Sequence, residues 1–207
     1  MKLLTLAVGT LSTNCYVLAL DGAGECAVID AGAEGARIAG VLSERHLKPA
    51  VVLGTHGHAD HTGGVAAIIG RLGGGFVLGA ADREMALDPP PWLTAVLVDF
   101  QTPPEPARLL AGGEKLEFGG MEIEAIATPG HTPGSMCYRV GDSVFTGDTL
   151  FRGSIGRCDL PGGDGNQELA SIREQLLVLD DAVRVFPGHG PATTIGAERR
   201  TNPYLRE

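Results

Sequence analysis

The sequence predicts an α/β fold with β-sheets in the middle and helices packed outside, and three observations lead there. Short apolar or alternating segments open the chain and return in its second half. Helix-period segments alternate with strands between them. Four apolar strands each run through a glycine or a short turn into a histidine or an aspartate. At 207 residues the chain is expected to form one domain, 1–207, burying roughly 70% of its unfolded surface.

Lys2 to Val8, Tyr16 to Leu20 and Cys26 to Asp30 read as three short strands parted by turn residues such as Asp21-Gly22, an antiparallel start. From Glu34 to His46, Ile38, Val41 and Leu42 recur at helical spacing, and Pro49 marks the stop. The apolar run Ala50-Val51-Val52-Leu53-Gly54 is the next strand. It delivers Thr55-His56-Gly57-His58-Ala59-Asp60-His61, four metal-capable side chains within six positions.

If the extended backbone of 50–55 continues to His58, then His56 and His58 point to the same side and can share one ion. Gly63-Gly64 and Val65 to Ile69 turn the chain into a helix over 64–72, which re-aims Asp60 and His61 as a second group. One segment then serves two ions.

Phe76 to Gly79 is a short strand and Ala81 to Leu87 a short helix. Residues 88–106, with Pro89-Pro90-Pro91, Trp92 and Pro103-Pro104, lack periodicity and read as a surface loop near the site. Strict alternation returns in Lys115 to Phe118 and Met121 to Ile126, half-exposed strands whose acids form a solvated face. Leu169, Ile172, Leu176 and Leu179 mark an amphipathic helix. A strand over Ala182 to Phe186 follows, then a charged tail ending at Glu207.

Three later segments repeat the syntax of the first. Ile123 to Thr128 leads through Pro129-Gly130 to His131, Ser143 to Thr146 through Gly147 to Asp148, and Val183 to Phe186 through Pro187-Gly188 to His189. Strand ends converging on one sheet edge are where α/β proteins place chemistry. Five of the six histidines fall in these segments; His46, in the last turn of the first helix, reads as solvated. Imidazole with carboxylate and no thiolate suits Zn²⁺, with iron or manganese as alternatives.

Composition excludes other classes. The net charge of −9 and the lack of a basic stripe argue against a phosphate-tracking nucleic-acid binder. Cys15, Cys26, Cys137 and Cys158 form no Cys-x-x-Cys, and three lie in apolar runs as buried thiols. No apolar stretch approaches the ~20 residues that span a bilayer. Met1 to Val8 only faintly imitates a signal peptide, so a cytoplasmic protein with no membrane partner is expected.

The pattern His-x-His-x-Asp-His followed by His, Asp and His resembles the metallo-β-lactamase superfamily over nearly the whole chain. Thr-His-x-His-x-Asp-His, Gly-Asp-Thr-Leu-Phe at 147–151 and Gly-Arg-x-Asp at 156–159 resemble glyoxalase II, the hydroxyacylglutathione hydrolase, and its short bacterial relatives. The resemblance implies an αββα sandwich, two mixed β-sheets packed face to face with helices outside. It implies two divalent ions, with His56, His58 and His131 on one, Asp60, His61 and His189 on the other, Asp148 bridging, and a bridging hydroxide as nucleophile. Two such ions, two aspartates and the hydroxide leave a formal charge of about +1, which favours a developing oxyanion.

The implied activity is hydrolysis of S-D-lactoylglutathione or a related small acyl thioester. A thiol with a pKa near ~8.5 can leave as thiolate, whereas an amide nitrogen must be protonated. No separate general acid is evident, though Asp60 could shuttle a proton. Arg157 stands where glyoxalase II carries a basic residue that meets the glutathione part of the substrate; a surface arginine pairing with Asp159 is the other reading. Only 18 residues follow His189 (207 − 189), so the helical C-terminal domain that supplies glutathione contacts is not expected. Arg199 and Arg200 read as a solvated helix face, with a substitute clamp as the other reading.

The nearest rival is an iron-dependent persulfide dioxygenase, which shares the fold, His-Ala-Asp-His and Gly-Arg-x-Asp. A metal-binding sensor module without turnover is a third reading. The lack of an export signal argues against a β-lactamase.

Overall fold

Along β2 (Thr13–Ala19) every residue is buried, yet successive side chains enter different layers of the molecule. In the computed structural model, which describes residues 1–206, β2 lies between β1 (Lys2–Val8) and β3 (Glu25–Ile29). β4 (Lys48–Leu53), β5 (Gly75–Gly79) and β6 (Arg108–Leu110) complete a six-stranded sheet in sequence order. Its first three strands are antiparallel and its last four parallel. Cys15 and Val17 face helices α1 (Gly35–Glu44) and α3 (Val65–Leu72), packing with Ile38, Leu42, Val65 and Ile68. Tyr16 and Leu18 face the other way.

What they meet is a second sheet, ordered β14 (Thr193–Thr194), β13 (Arg184–Pro187), β10 (Ser143–Gly147), β9 (Met136–Val140), β8 (Met121–Ala127), β7 (Lys115–Phe118). Leu116, Ile123, Ala125, Tyr138 and Phe145 come from it into the space between the sheets. Its far face, with Cys137, Val144 and Val185, is covered by Ile172 and Leu176. Those two extend helix α6 (Gly165–Ser171) by one wider turn. Three apolar clusters therefore fill three interlayer spaces, and the order is helix, sheet, sheet, helix. The expected sandwich of two mixed sheets is the fold.

Both faces of β4 are covered, so Ala50 to Leu53 read as a continuous apolar run; β10, covered likewise, buries Ser143 and Thr146 beside Val144 and Phe145. β7 and β8 keep one wet face, where Lys115 pairs with Glu122 and Arg139 with Glu124.

One expectation needs correction. Pro49 does not end the first helix. The helix closes after Glu44 with His46 in the left-handed region (φ 55°), its N–H on Ser43 O and that of Leu47 on Leu42 O. Pro49 lies inside β4 at a register shift opposite Cys26 and Ala27, an irregularity where a missing N–H is tolerated. In the charged tail α7 (Ile195–Thr201) forms with Arg199 and Arg200 on an exposed face, in line with the solvated helix face read for them; both meet Asp181, Arg199 also donating to Leu177 O and Leu179 O. Glu207 lies outside the described residues.

Polar ties cross the sandwich at its functional edge. Tyr138 Oη, on a fully buried ring, donates to Gly54 O at 2.8 Å, and Tyr16 Oη to Pro187 O at 2.7 Å. Tyr138→Phe leaves the Gly54 carbonyl without that donor. A loss of roughly 1–2 kcal/mol is expected, read as a lower denaturant midpoint at unchanged slope.

Candidate metal centre

All four ligand-bearing segments leave strand ends on one edge of the sandwich. β4 stops at Leu53, and the chain bends through Thr55, His56 and Gly57, so the two histidines do not share one continuous strand as the spacing predicts. They meet because the bend is pinned. Thr55 N and Oγ1 donate to the Asp30 carboxylate at 2.8 and 2.9 Å, and Gly57 N donates to Asp82 Oδ2 at 2.8 Å. His56 Nε2 then lies 3.1 Å from His58 Nδ1. A one-turn helix, α2 (Ala59–Thr62), starts after the extended His58 and aims Asp60 and His61 elsewhere, as expected.

The other donors arrive over close backbone. Gly130 (φ 148°) precedes His131, whose N–H donates to Glu168 Oε2 at 2.8 Å. Gly188 precedes His189 and leaves no room for a side chain: a Cβ there would overlap Asp148 Oδ1 and His61 Cε1.

The seven predicted side chains fall into overlapping groups: His56, His58 and His131; His56, His61 and Asp148; Asp60, His61 and His189. Within each group the donor atoms lie within 4.8 Å of one another. Asp148 is 3.4 Å from His61 Nε2, 3.8 Å from His131 Nε2 and 3.6 Å from His189 Nε2, so it reaches both ends.

The hydrogen bonding fits a cation. His61 Nδ1 has Asp30 Oδ2 at 3.0 Å, His131 Nδ1 has Arg157 O at 2.7 Å and His189 Nδ1 has Leu11 O at 3.1 Å. Those acceptors place each imidazole proton on the outer nitrogen and a lone pair on the inner one. The inner nitrogens of His61 and His189 face each other at 3.3 Å, and that of His131 faces His58 Nδ1 at 3.0 Å. Lone pairs so close repel unless a proton or a metal cation lies between them. Asp148 Oδ1 is buried with no partner of its own.

Electrostatics separate the two ends. Burial, with His131 beside it, pushes His58 down to about 3, and burial with the surrounding imidazoles holds His56 well below its ordinary range. Both stay neutral donors. Burial also opposes charge on His61, but Asp148, Asp60 and Asp30 outweigh it and push the ring up to about 10, so the three carboxylates favour a positive charge at its inner nitrogen, a proton or a metal cation in its place. Against the same burial penalty, His61 and His189 hold Asp60 well below the usual carboxylate range.

Arg157 borders the site through its carbonyl, which His131 Nδ1 meets, and its exposed guanidinium pairs with Asp159 at 2.7 and 2.8 Å. The loop over 88–106 follows α4 (Arg83–Leu87), contains one turn of helix, α5 (Pro91–Thr94), and is anchored beside α2, with Gln101 N on Gly63 O at 3.0 Å. Trp92 on that turn is exposed. Cys15, Cys26 and Cys137 are buried thiols, as expected. Among the described residues no helix is long and apolar enough to cross a membrane.

Sequence reasoning missed the carboxylates behind the donors. Asp30, Asp82 and Glu168 are fully or almost fully buried beneath the ligand loops. Asp30 ends an apolar strand just as the ligands do, and that signal was available. Asp82 and Glu168 sit in short helices with no local sign of burial.

The metallo-beta-lactamase superfamily model matches residues 8–189. An uncharacterized protein of Mycobacterium tuberculosis is 42% identical, with 95% of this chain and 94% of that one covered. The probable metallo-hydrolase YqgX of Bacillus subtilis is 36% identical over 99% and 98%. The hydroxyacylglutathione hydrolase GloC of Haemophilus influenzae is 33% identical, also over 99% and 98%. Among solved structures, BLEG-1 B3 metallo-beta-lactamase superposes with a TM-score of 0.93 at 35% identity over all of both chains. TTHA1623 in a di-iron-bound form gives 0.85 at 37% identity, over 98% of this chain and 100% of that one. With its two mixed sheets, its paired His/Asp groups suited to divalent metal ions and these relatives, the chain belongs to the metallo-beta-lactamase superfamily and is a metallo-hydrolase-type enzyme.

Proposed function

We propose that the protein hydrolyses small acyl thioesters in the manner of glyoxalase II, with S-D-lactoylglutathione as the first substrate to try. The observation that carries this reading is the pair of donor groups joined through Asp148. The hydroxyacylglutathione hydrolase GloC, similar over nearly both whole chains, supports the choice of bond. His56, His58 and His131 would hold one ion, Asp60, His61 and His189 the other, and Asp148 both. Zinc suits these donors, and the di-iron form of TTHA1623 keeps iron in consideration.

Two divalent ions held there would supply a hydroxide near neutral pH and polarise a substrate carbonyl. The protein's own groups do the rest. Asp148 fixes the separation of the two ends. Asp60 Oδ2, 3.3 Å from His189 Nε2 and 3.4 Å from Thr13 Oγ1, is placed to move a proton at the reacting centre. Arg157, turned from Asp159, takes a carboxylate of the thiol half. The departing thiolate needs no proton, so a site of metal ligands without a separate acid suffices for a thioester.

Arg157→Ala is expected to raise KM about 3–10-fold with kcat nearly unchanged, since it removes uniform binding. Steady-state kinetics on S-D-lactoylglutathione reads this directly. The close superposition on BLEG-1 favours β-lactam hydrolysis as a second reading. Assaying the metallated protein against S-D-lactoylglutathione, a β-lactam and glutathione persulfide separates the readings. Thiol release well above β-lactam turnover and oxygen uptake is expected; dominance of either of those overturns the thioester assignment.

A further inference from the structure

One backbone bond, Met136 N on Thr55 O at 2.7 Å, ties the base of the His56-His58 loop to the far end of the His131 loop, but none joins them at the histidines themselves, where His58 Nδ1 and His131 Nε2 stand 3.0 Å apart. Something must set that spacing. Asp82, at the end of the short turn Ala80–Asp82 after β5, lies between the two loops with no exposed surface. Its Oδ2 accepts from Gly57 N at 2.8 Å, the amide between the first two histidines. The same oxygen accepts from Thr132 Oγ1 at 2.6 Å, the residue after His131, and Oδ1 accepts from Gly134 N at 2.7 Å. Both glycines are packed on Asp82 itself: a Cβ on Gly57 would meet its backbone oxygen, and one on Gly134 its carboxylate carbon.

We infer that Asp82 is a positioning residue that serves one ion site alone, a side-chain clamp that holds the His56-His58 loop against the His131 loop. The inference rests on the two-ion reading above. Asp60, His61 and His189 receive nothing from Asp82; His61 is oriented by Asp30 and His189 by Leu11 O. A carboxylate suits the task because both its oxygens accept and neither donates, matching two amide N–H groups and one hydroxyl. An amide in its place would turn an NH₂ toward one of those donors.

The test is metal titration, followed by chelator competition, of the full chain stripped of metal, on wild type, Asp82→Asn, Asp82→Ala and Thr132→Val, with apo melting temperatures measured alongside. Wild type is expected to take two ions per chain. Asp82→Ala is expected to keep one site at wild-type affinity and weaken the other about 10–100-fold, the range for outer groups that orient ligands. Asp82→Asn should fall between, and Thr132→Val, which removes a single bond, should show a smaller loss confined to the same site. Adding His131→Ala to Asp82→Ala identifies that site, because the double variant should lose no further tight binding. Equal weakening of both sites, or two unchanged sites in Asp82→Ala and Thr132→Val, overturns the inference. A wild type that takes fewer than two ions overturns the two-ion reading itself, and the inference with it.

Discussion

Asp148→Asn is expected to lower kcat/KM for an acyl thioester by about 10³-fold, roughly 4 kcal/mol of transition-state stabilisation. It should also reduce the bound metal from two equivalents toward one. The size follows from position. Asp148 is the donor that approaches His61, His131 and His189 at once, and its Oδ1 is buried without a partner in the protein. An amide of the same shape keeps the packing against Gly188 but presents a neutral, weaker ligand at the junction. Metal analysis of the dialysed variant beside its steady-state rate checks both halves. Wild-type rate with full metal would remove Asp148 from the bridge.

Asp60→Asn is expected to behave differently. Its carboxylate stands at one end of the site, against His189 and Thr13, so one ion should remain well held and the other partly so. Turnover should fall by about 10²–10³-fold, within the range for losing a positioned proton-transfer group, and kcat should carry most of the loss. Thr13 Oγ1 can still donate to the amide oxygen, so the fold at the β1–β2 turn should survive. A near-normal kcat would remove Asp60 from proton transfer. Complete loss of metal would make its role that of an essential ligand only.

The fold was legible in the sequence where strands are long and their faces distinct. β8 shows strict alternation because one face is wet, and β4 a solid apolar run because both are covered. Short elements left no such trace. β6 has three residues, β11 (Leu150–Phe151), β12 (Ser154–Ile155) and β14 have two each, and they exist because neighbouring strands offer a ladder. Pro49 misled because local chemistry favours a helix stop there, while the bulge that tolerates it is set by pairing with β3.

The site divides in the same way. His56, His58, Asp60, His61, His131, Asp148 and His189 announce themselves by type and spacing, since few other uses exist for so many imidazoles beside strand ends. The second layer does not. Asp82 and Glu168 look like surface acids until the folded chain shows that each accepts an amide from a ligand loop. Glu198, read within the charged tail, is likewise buried and takes Gly153 N, Thr193 Oγ1 and Asn202 Nδ2. Convergence across long sequence separations has no local signature.

The most direct measurement is thiol release from S-D-lactoylglutathione by metal-stripped protein as zinc, and separately iron, is added back in steps. Release that is absent after chelation, rises with added metal and levels off at two equivalents per chain is the predicted result. Full occupancy with no thiol release from this or other small acyl thioesters would contradict the assignment.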